Sequence, residues 1–328
     1  MSTPNTIKKI SLPVQEHLPE FNKFFKEQMR TDVPLLNIIL RYITQRKGKQ
    51  VRPTIVFLSA ELCGGVSRRS YVGATMIELL HTATLVHDDV VDHASERRGL
   101  PSINAAWNNK ISVLIGDFLL AKGLLTSVTN TEYDFLNATS KAVQRMSEGE
   151  LLSIEKSRSL DVDEEIYFRI ISDKTASLMS SCSEIGALSA CNDPEKVGAL
   201  ARYGEMVGIA FQIRDDIFDY VSKSTTIGKP VGNDLKEKKL TLPLVYAFSE
   251  APAKEVRLIK KMIKSGKLKK KDIKEIISFV EDYGGIEYAI DKSREYSAKA
   301  VDSLKLFDDS EAKESLKAFA EFVVMRHS

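Results

Sequence analysis

The residues best suited to chemistry stand in one stretch, His81-Thr-Ala-Thr-Leu-Val-His-Asp88-Asp89-Val-Val-Asp92, with Arg97-Arg98 just beyond it. Its apolar spacing predicts a helix, so residues three and four apart share a face. His81, Thr84 or Leu85, Asp88 and Asp92 then line one stripe, with Asp89 on its flank. Like charges at i,i+4 destabilise a helix by roughly 0.2–0.5 kcal/mol, so stability does not ask for this arrangement. A hard divalent cation would offset that cost, because Mg²⁺ takes carboxylate oxygens and completes its shell with water or phosphate. The pattern returns 127 residues later as Phe211-Gln212-Ile-Arg-Asp215-Asp216-Ile-Phe-Asp219. At the chain's Asp content, three specified Asp positions match by chance roughly 0.07 times, so one DDxxD is weak and two are strong.

Cations recur near these acids. In Gly48-Lys49-Gln50-Val51-Arg52-Pro53, Pro53 suits the first position of a helix, which puts Lys49 and Arg52 in a loop beside free backbone N–H groups. That is an anion site, or else ordinary surface charge. Arg97-Arg98-Gly99-Leu100-Pro101 breaks the first Asp helix and sets two guanidiniums close to its carboxylates, for pairing or for an anion. Lys174 lies amid apolar neighbours in Tyr167-Phe-Arg-Ile-Ile-Ser-Asp-Lys174-Thr175-Ala, so it either meets an anion or snorkels to the surface. The Gly- and Pro-marked stretch from Thr226 to Pro243 presents several lysines directly after the second Asp helix and could fold over it as a lid. It is no P-loop, since GxxxxGK[ST] is missing from the sequence.

The elements that must position these residues read as helices. Only 17 Gly and 10 Pro punctuate 328 residues, and alternating apolar/polar runs are scarce, so the fold class expected is all-α. Helices are predicted within 14–47 (two, the second ending at Gly48), from about Ser67 to His93, on the apolar run carrying Ile111 to Ala121, from Glu132 to Glu155, through Lys174, and four or so after Glu250. No linker or low-complexity tract divides the chain, so one domain, 1–328, is expected. A net charge of +2 gives no overall basicity for nucleic acid. Met1 to Leu12 lacks the apolar core of a signal peptide and no uninterrupted apolar run reaches 18 residues, so neither signal peptide nor spanning helix is expected. Cys63, Cys182 and Cys191 lack metal-ligand spacing and read as small buried apolar residues in a reducing, cytoplasmic setting. The lysines from Lys260 to Lys274 read as a solvated face, with at most peripheral membrane contact.

Taken together, these motifs resemble the trans-isoprenyl diphosphate synthases, or polyprenyl synthetases, over nearly the whole chain and in the family's order. The resemblance rests on Gly48-Lys49-x-x-Arg52-Pro53, His81 before Asp88-Asp89-x-x-Asp92, Arg97-Arg98-Gly99, Gly116-Asp117 and Glu148-Gly-Glu150. It continues through Lys174-Thr175-Ala, Phe211-Gln212, Asp215-Asp216-x-x-Asp219, Gly228-Lys229-Pro230, and Asp234 with Lys239 and Thr241. It implies a single-domain helical bundle of the isoprenoid synthase type around a central cavity, its two Asp-rich helices facing each other, usually as a homodimer. It implies three Mg²⁺ ions, with Asp88, Asp92 and Asp215 as direct ligands and Asp89, Asp216 and Asp219 in support. Arg97, Lys174, Thr175, Gln212, Lys229 and Lys239 would hold the allylic diphosphate. Lys49, Arg52, His81 and Arg98 would hold isopentenyl diphosphate, with Phe211 on its hydrocarbon part. The implied reaction is ionisation of the allylic C–O bond, attack by the isopentenyl double bond, and loss of a proton. Asn108, Ser153 and Lys238 depart from the family's usual residues, none at a metal or diphosphate position.

In this family, large side chains four and five residues before the first Asp stop the growing product early. Here those positions are Thr84 and Ala83, both small. The resemblance therefore implies an all-trans product of roughly six to eight isoprene units, as for quinone side chains, since pocket shape sets what fits. A short-chain farnesyl or geranylgeranyl synthase is the alternative of the same class. A terpene cyclase or a squalene-type enzyme normally lacks a second DDxxD. A non-catalytic partner subunit of a heterodimeric synthase, the alternative of another class, would typically have lost Asp or Lys residues kept here.

Overall fold

Scarce breakers and helical apolar periodicity yield helices almost throughout. The computed structural model describes residues 3–45, 50–97, 99–221, 232–266 and 268–325. In chain order the helices are α1 (Thr3–Ile10), α2 (His17–Gln28), α3 (Pro34–Gln45), α4 (Val51–Leu62) and α5 (Arg68–Val91). A hairpin of two-residue strands, β1 (Glu96–Arg97) and β2 (Leu100–Pro101), follows, the only sheet among the described residues. Then come α6 (Ile103–Ala106), α7 (Asn109–Thr129), α8 (Tyr133–Ser159), α9 (Glu164–Ile171), a π-turn (Ser172–Ala176) and α10 (Ser177–Leu188). The chain closes with α11 (Pro194–Val221), α12 (Asn233–Lys236), α13 (Leu242–Glu250), α14 (Ala253–Lys264), α15 (Lys270–Asp282), α16 (Gly285–Asp302) and α17 (Glu311–Met325). The expected all-α class is what forms.

Two compact units organise these helices. One comprises Met1–Ser140, Ser181–Leu200 and Phe307–Ser315, and the other Lys141–Ser180, Ala201–Leu306 and Leu316–Ser328. In the first, α4 buries every residue from Pro53 to Ala60, and α5 packs along α7. Met29, Ile39, Leu40, Leu79, Ala83, Val86, Ile103, Ile115 and Leu119 form a core between them. Gly116 fixes the rotation of α5. A Cβ there would lie 2.1 Å from His87 Nε2, so its absence lets the His87 ring lie on α7, with Nε2 3.2 Å from the Val113 carbonyl oxygen. That seats the turn on which Asp88 follows.

In the second unit, Tyr167, Ile171, Ile209, Ile213, Ile217, Leu242, Ile259, Ile273 and Ile276 belong to one continuous core. α9 starts where Asp163 accepts the Ile166 N–H at 2.8 Å, capping an orphan donor. The sequence places one helix through Lys174; here α9 passes instead into the π-turn before α10 resumes.

Three further sequence expectations change. Pro53 is the third residue of α4, not the first, so Arg52 lies inside the first helical turn rather than in a loop. Proline fits there because the first N–H groups of a helix have no intrahelical acceptor. The stretch before Pro243 is not wholly loop, since α12 forms within it. And α7 is long and apolar enough to cross a membrane, although Asp117 and Lys122 interrupt its apolar runs. A third of that apolar window is buried, and Val113, Leu114, Leu124, Leu125 and Val128 are exposed. Cys63 and Cys182 are buried as expected, whereas Cys191 is only half-buried, and burial pushes the Cys182 thiol up to about 12.

Candidate active site

Residues of the first Asp cluster ride the last turn of α5. Glu78, His81 and Leu85 are half-buried along one stripe, and Asp88 and Asp92 are exposed at its end. Asp89 points inward and is 3% exposed. Arg97, on the hairpin, donates from Nε to both Asp89 oxygens at 2.8 and 3.0 Å, and Nη2 lies 2.7 Å from Oδ1. This two-pronged pairing holds the hairpin arginine over the end of α5. Asp89 therefore serves Arg97, whereas Asp88 and Asp92 are exposed. Arg52 is half-buried on α4, and its Nε is a buried donor with no partner among the described residues. A buried guanidinium N–H without an acceptor is costly, and an anion would supply one. Lys49, Arg98 and Lys229 lie outside the described residues.

The second unit holds a cavity of ≈ 420 Å³. Of the sequence candidates, Lys174, Thr175, Gln212, Asp215, Asp216, Asp219 and Lys239 line it together. Phe211, half-buried on α11, does not. Asp216 is buried, accepting from Tyr167 Oη at 2.7 Å and from Gln212 Nε2 at 2.8 Å. Gln212 Oε1 in turn accepts from Thr175 Oγ1 at 2.9 Å. Asp219 accepts from the backbone N–H groups of Asn233 and Asp234 at 3.0 and 3.1 Å, which anchors the start of α12. Asp215 remains on the cavity wall. Lys174 pairs with Glu150 and Lys239 with Glu237.

Charge in this cavity is unbalanced. Burial first, then the Asp234 charge, push the Asp216 carboxyl up to about 7 and Asp219 up to about 6. Among the described residues no three carboxylates converge as a ready-made cage. Asp215 on the cavity wall suits Mg²⁺, which is bound by one or two carboxylates with substrate phosphates and water as the rest. The sign of the pH effect follows. A carboxyl whose folded pKa is raised stabilises the fold below its unfolded pKa, and that stability is lost as pH rises through about 6 to 7. Metal-free protein is expected to melt a few degrees lower at about pH 8 than at about pH 5, with Mg²⁺ flattening the difference. A melting series with and without Mg²⁺ checks this; a metal-free curve that rises with pH sinks it.

Sequence reading missed what holds Lys174 and Thr175 in place. Arg145 of α8 donates from Nε to Asp173 at 2.7 Å, and from Nη2 to Ser172 Oγ and to Glu205, both at 2.8 Å. Ser172 Oγ donates to Glu205 at 2.7 Å, closing the network. One guanidinium thus ties α8 and α11 to both residues that open the π-turn. Gly149, one turn on, lets α8 come close: a Cβ there would lie 2.8 Å from Lys174 N and 2.9 Å from Asp173 Cβ. Asp234 and Tyr167 are further lining residues that spacing alone did not assign. No spacing signal pointed to Arg145, because Asp173 and Glu205 lie 28 and 60 positions away in sequence.

Carboxylates fit for a divalent cation and lysines fit for an anion, carried on an all-α chain, define a helical enzyme class that handles diphosphates. The chain belongs to the polyprenyl synthetase family, whose model matches residues 33–280. It is a prenyltransferase, a trans-prenyl diphosphate synthase. It is 33% identical to the octaprenyl diphosphate synthase of Haemophilus influenzae over 322 residues, 98% of each chain. The crystal structure of a polyprenyl synthase from Caulobacter crescentus, complexed with calcium and isoprenyl diphosphate, matches with a TM-score of 0.90 and 31% identity, covering 98% of each chain. A geranylgeranyl pyrophosphate synthase from Bacteroides thetaiotaomicron matches with a TM-score of 0.83 and 38% identity, covering 98% of this chain and all of the other.

Proposed function

We propose that this enzyme condenses isopentenyl diphosphate with an allylic diphosphate to an all-trans product of roughly six to eight isoprene units, the pocket's shape setting the length. Mg²⁺, when bound by Asp88, Asp92 and Asp215, would neutralise the departing diphosphate. Lys174 and Lys239 would exchange Glu150 and Glu237 for diphosphate oxygens, as charge-assisted donors do. Thr175 and Gln212 would hold the same group, with Asp216 fixing Gln212. Arg97 would reach the diphosphate from its seat on Asp89. Arg52, with Lys49, Arg98 and His81, would hold isopentenyl diphosphate and leave its double bond to attack the allylic cation; Phe211 would pack on its hydrocarbon part. The proton lost at the end goes to the released diphosphate, so no protein base is needed. The chain's work is positioning, charge neutralisation and exclusion of water.

The feature that supports the long product is the pair Ala83 and Thr84, both small at positions where the family resemblance implies that bulk stops the growing chain. The likeness to an octaprenyl synthase supports it. The likeness to a geranylgeranyl synthase favours the shorter alternative. Ala83 is 2% exposed and packs among Ile39, Leu40, Ile115 and Leu119. Ala83→Phe must therefore push into that wall, at a stability cost of about 1–3 kcal/mol, and is expected to shorten the product. Purified protein with Mg²⁺, labelled isopentenyl diphosphate and geranyl, farnesyl or geranylgeranyl starters, with products resolved by mass, tests both points. A wild-type product of three or four units sinks the long-chain reading, and an unchanged product from the Phe variant removes Ala83 from the wall.

We also propose a homodimer formed through α7, whose exposed Leu114 and Leu125 leave 55% and 56% of their surface open. Exposed apolar side chains on one helix fit an interface with a second copy. Light scattering is expected to give twice the chain mass, and half that mass for Leu114→Asp with Leu125→Asp. A monomeric wild type disposes of the idea.

A further inference from the structure

The chain is almost neutral overall, yet ten of its Lys and Arg fall between positions 254 and 274 with only Glu255 and Asp272 against them. The structure shows where this charge is put. α14 buries Ile259 and Ile263, and α15 buries Ile273, Ile276, Phe279 and Val280. Lys261, Lys264, Lys270, Lys271 and Lys274 are left exposed on the remaining faces. They crowd the last turn of α14 and the first turns of α15, on either side of one short connection. None of these five forms an ion pair among the described residues.

Two features show that folding does not ask for this corner. Lysines at positions 269, 270 and 271 begin a helix, the end where the macrodipole disfavours cations. And a sixth cation is brought in against backbone preference. Lys238 has φ 59°, a left-handed conformation that glycine adopts freely and bulkier residues rarely do. Its Nζ donates to the Lys264 carbonyl oxygen at 3.3 Å, joining the same corner. Leu258, 53% exposed one turn before Lys261, adds an apolar tip.

The corner is also built into the cavity's frame. Gly232 is pressed onto α15, where a Cβ would lie 2.6 Å from Ile273 Cγ2. The Gly232 N–H donates to the carbonyl oxygen of Asp219 at 3.1 Å. Lys238 precedes Lys239, which lines the cavity. The segment 232–241 therefore joins the basic corner to the second Asp cluster by direct contact.

We propose that this corner is a docking surface for anionic phospholipid, seating the enzyme on a bilayer beside the cavity. A prenyl diphosphate is an amphiphile, charged at one end and apolar at the other, and its apolar end partitions into lipid. Clustered lysines with a flanking apolar side chain bind anionic bilayers, each lysine contributing through the surface potential. A folded nucleic acid would offer charge but no place for Leu258 or for the product. The proposal does not depend on the product length, because the charge attracts an anionic surface whatever the enzyme makes.

The test compares wild type with the variant Lys261→Gln, Lys264→Gln, Lys270→Gln, Lys271→Gln, Lys274→Gln, all outside the cavity. Soluble condensation with detergent present should be unchanged in the variant, confirming that it folds. Both proteins are sedimented with phosphatidylcholine vesicles, with and without about one third phosphatidylglycerol, at about 0.1 M salt. Wild type should partition at least about tenfold more strongly onto the anionic vesicles, and the variant should lose that preference. Equal partition of wild type onto neutral and anionic vesicles overturns the proposal. So does an unchanged variant, which would place any lipid contact elsewhere. Displacement of wild type from anionic vesicles by an equal charge of DNA oligonucleotide overturns it in favour of a nucleic-acid partner.

Discussion

Asp215→Asn is expected to lower kcat by about a thousandfold or more at saturating substrates and Mg²⁺, with little change in melting temperature. A cation that neutralises a leaving group supplies several kcal/mol of transition-state stabilisation, and about 4 kcal/mol corresponds to a thousandfold. The three aspartates of this cluster are not equivalent. Asp216 has both oxygens taken, by Tyr167 and Gln212. Asp219 has both turned to the backbone at the start of α12. Asp215 lines the cavity, and the asparagine keeps its volume while removing its charge. Asp216→Asn should behave differently, costing less in kcat and relieving a carboxyl that resists ionisation, so the variant should gain stability at neutral pH. Steady-state kinetics and melting curves on the two variants separate the roles. If Asp215→Asn retains a tenth of wild-type turnover, the cation is held by other groups.

Arg145→Met is expected to reduce kcat/KM for the allylic substrate by about a hundredfold, the scale on which misplacing a reacting group by about 1 Å is felt. No part of Arg145 lines the cavity; it acts through the π-turn that carries Lys174 and Thr175. Removing it leaves Asp173 and Glu205, 16% and 26% exposed, without their shared cation and with only Arg169 at 3.9 Å still beside Asp173, and under-compensated carboxylates push a backbone apart. Arg145→Lys should restore only part of the loss, since an ammonium cannot span Asp173, Ser172 and Glu205 in one plane. Gly149→Ala attacks the same contact from the other side and should give a similar defect. The reading that distinguishes positioning from mere stability is a double-mutant cycle with Lys174→Ala. If Arg145 works through Lys174, its removal costs much less once Lys174 is gone. Full additivity, or a lowered melting temperature with an unchanged KM, would show a purely structural role.

The amino-acid sequence by itself determined the helical class, the two aspartate clusters and the family, because each rests on local spacing. Apolar residues recurring at 3.6 and carboxylates at i,i+4 are legible wherever the helix ends up. It also located Lys174, Thr175, Gln212, Asp215, Asp216, Asp219 and Lys239, which the second unit brings to one cavity. Only the tertiary structure decided which carboxylates are spent on protein. Asp89 under Arg97, Asp216 under Tyr167, and Asp219 on α12 depend on which helix or turn packs beside each one. The contact of the π-turn with Arg145 joins residues 28 positions apart in sequence. Lys238 in a left-handed conformation and Arg52 inside a helical turn are likewise choices of packing, not of propensity. Hydrogen bonds and ion pairs form between groups that the fold makes neighbours, and sequence distance carries almost no information about that.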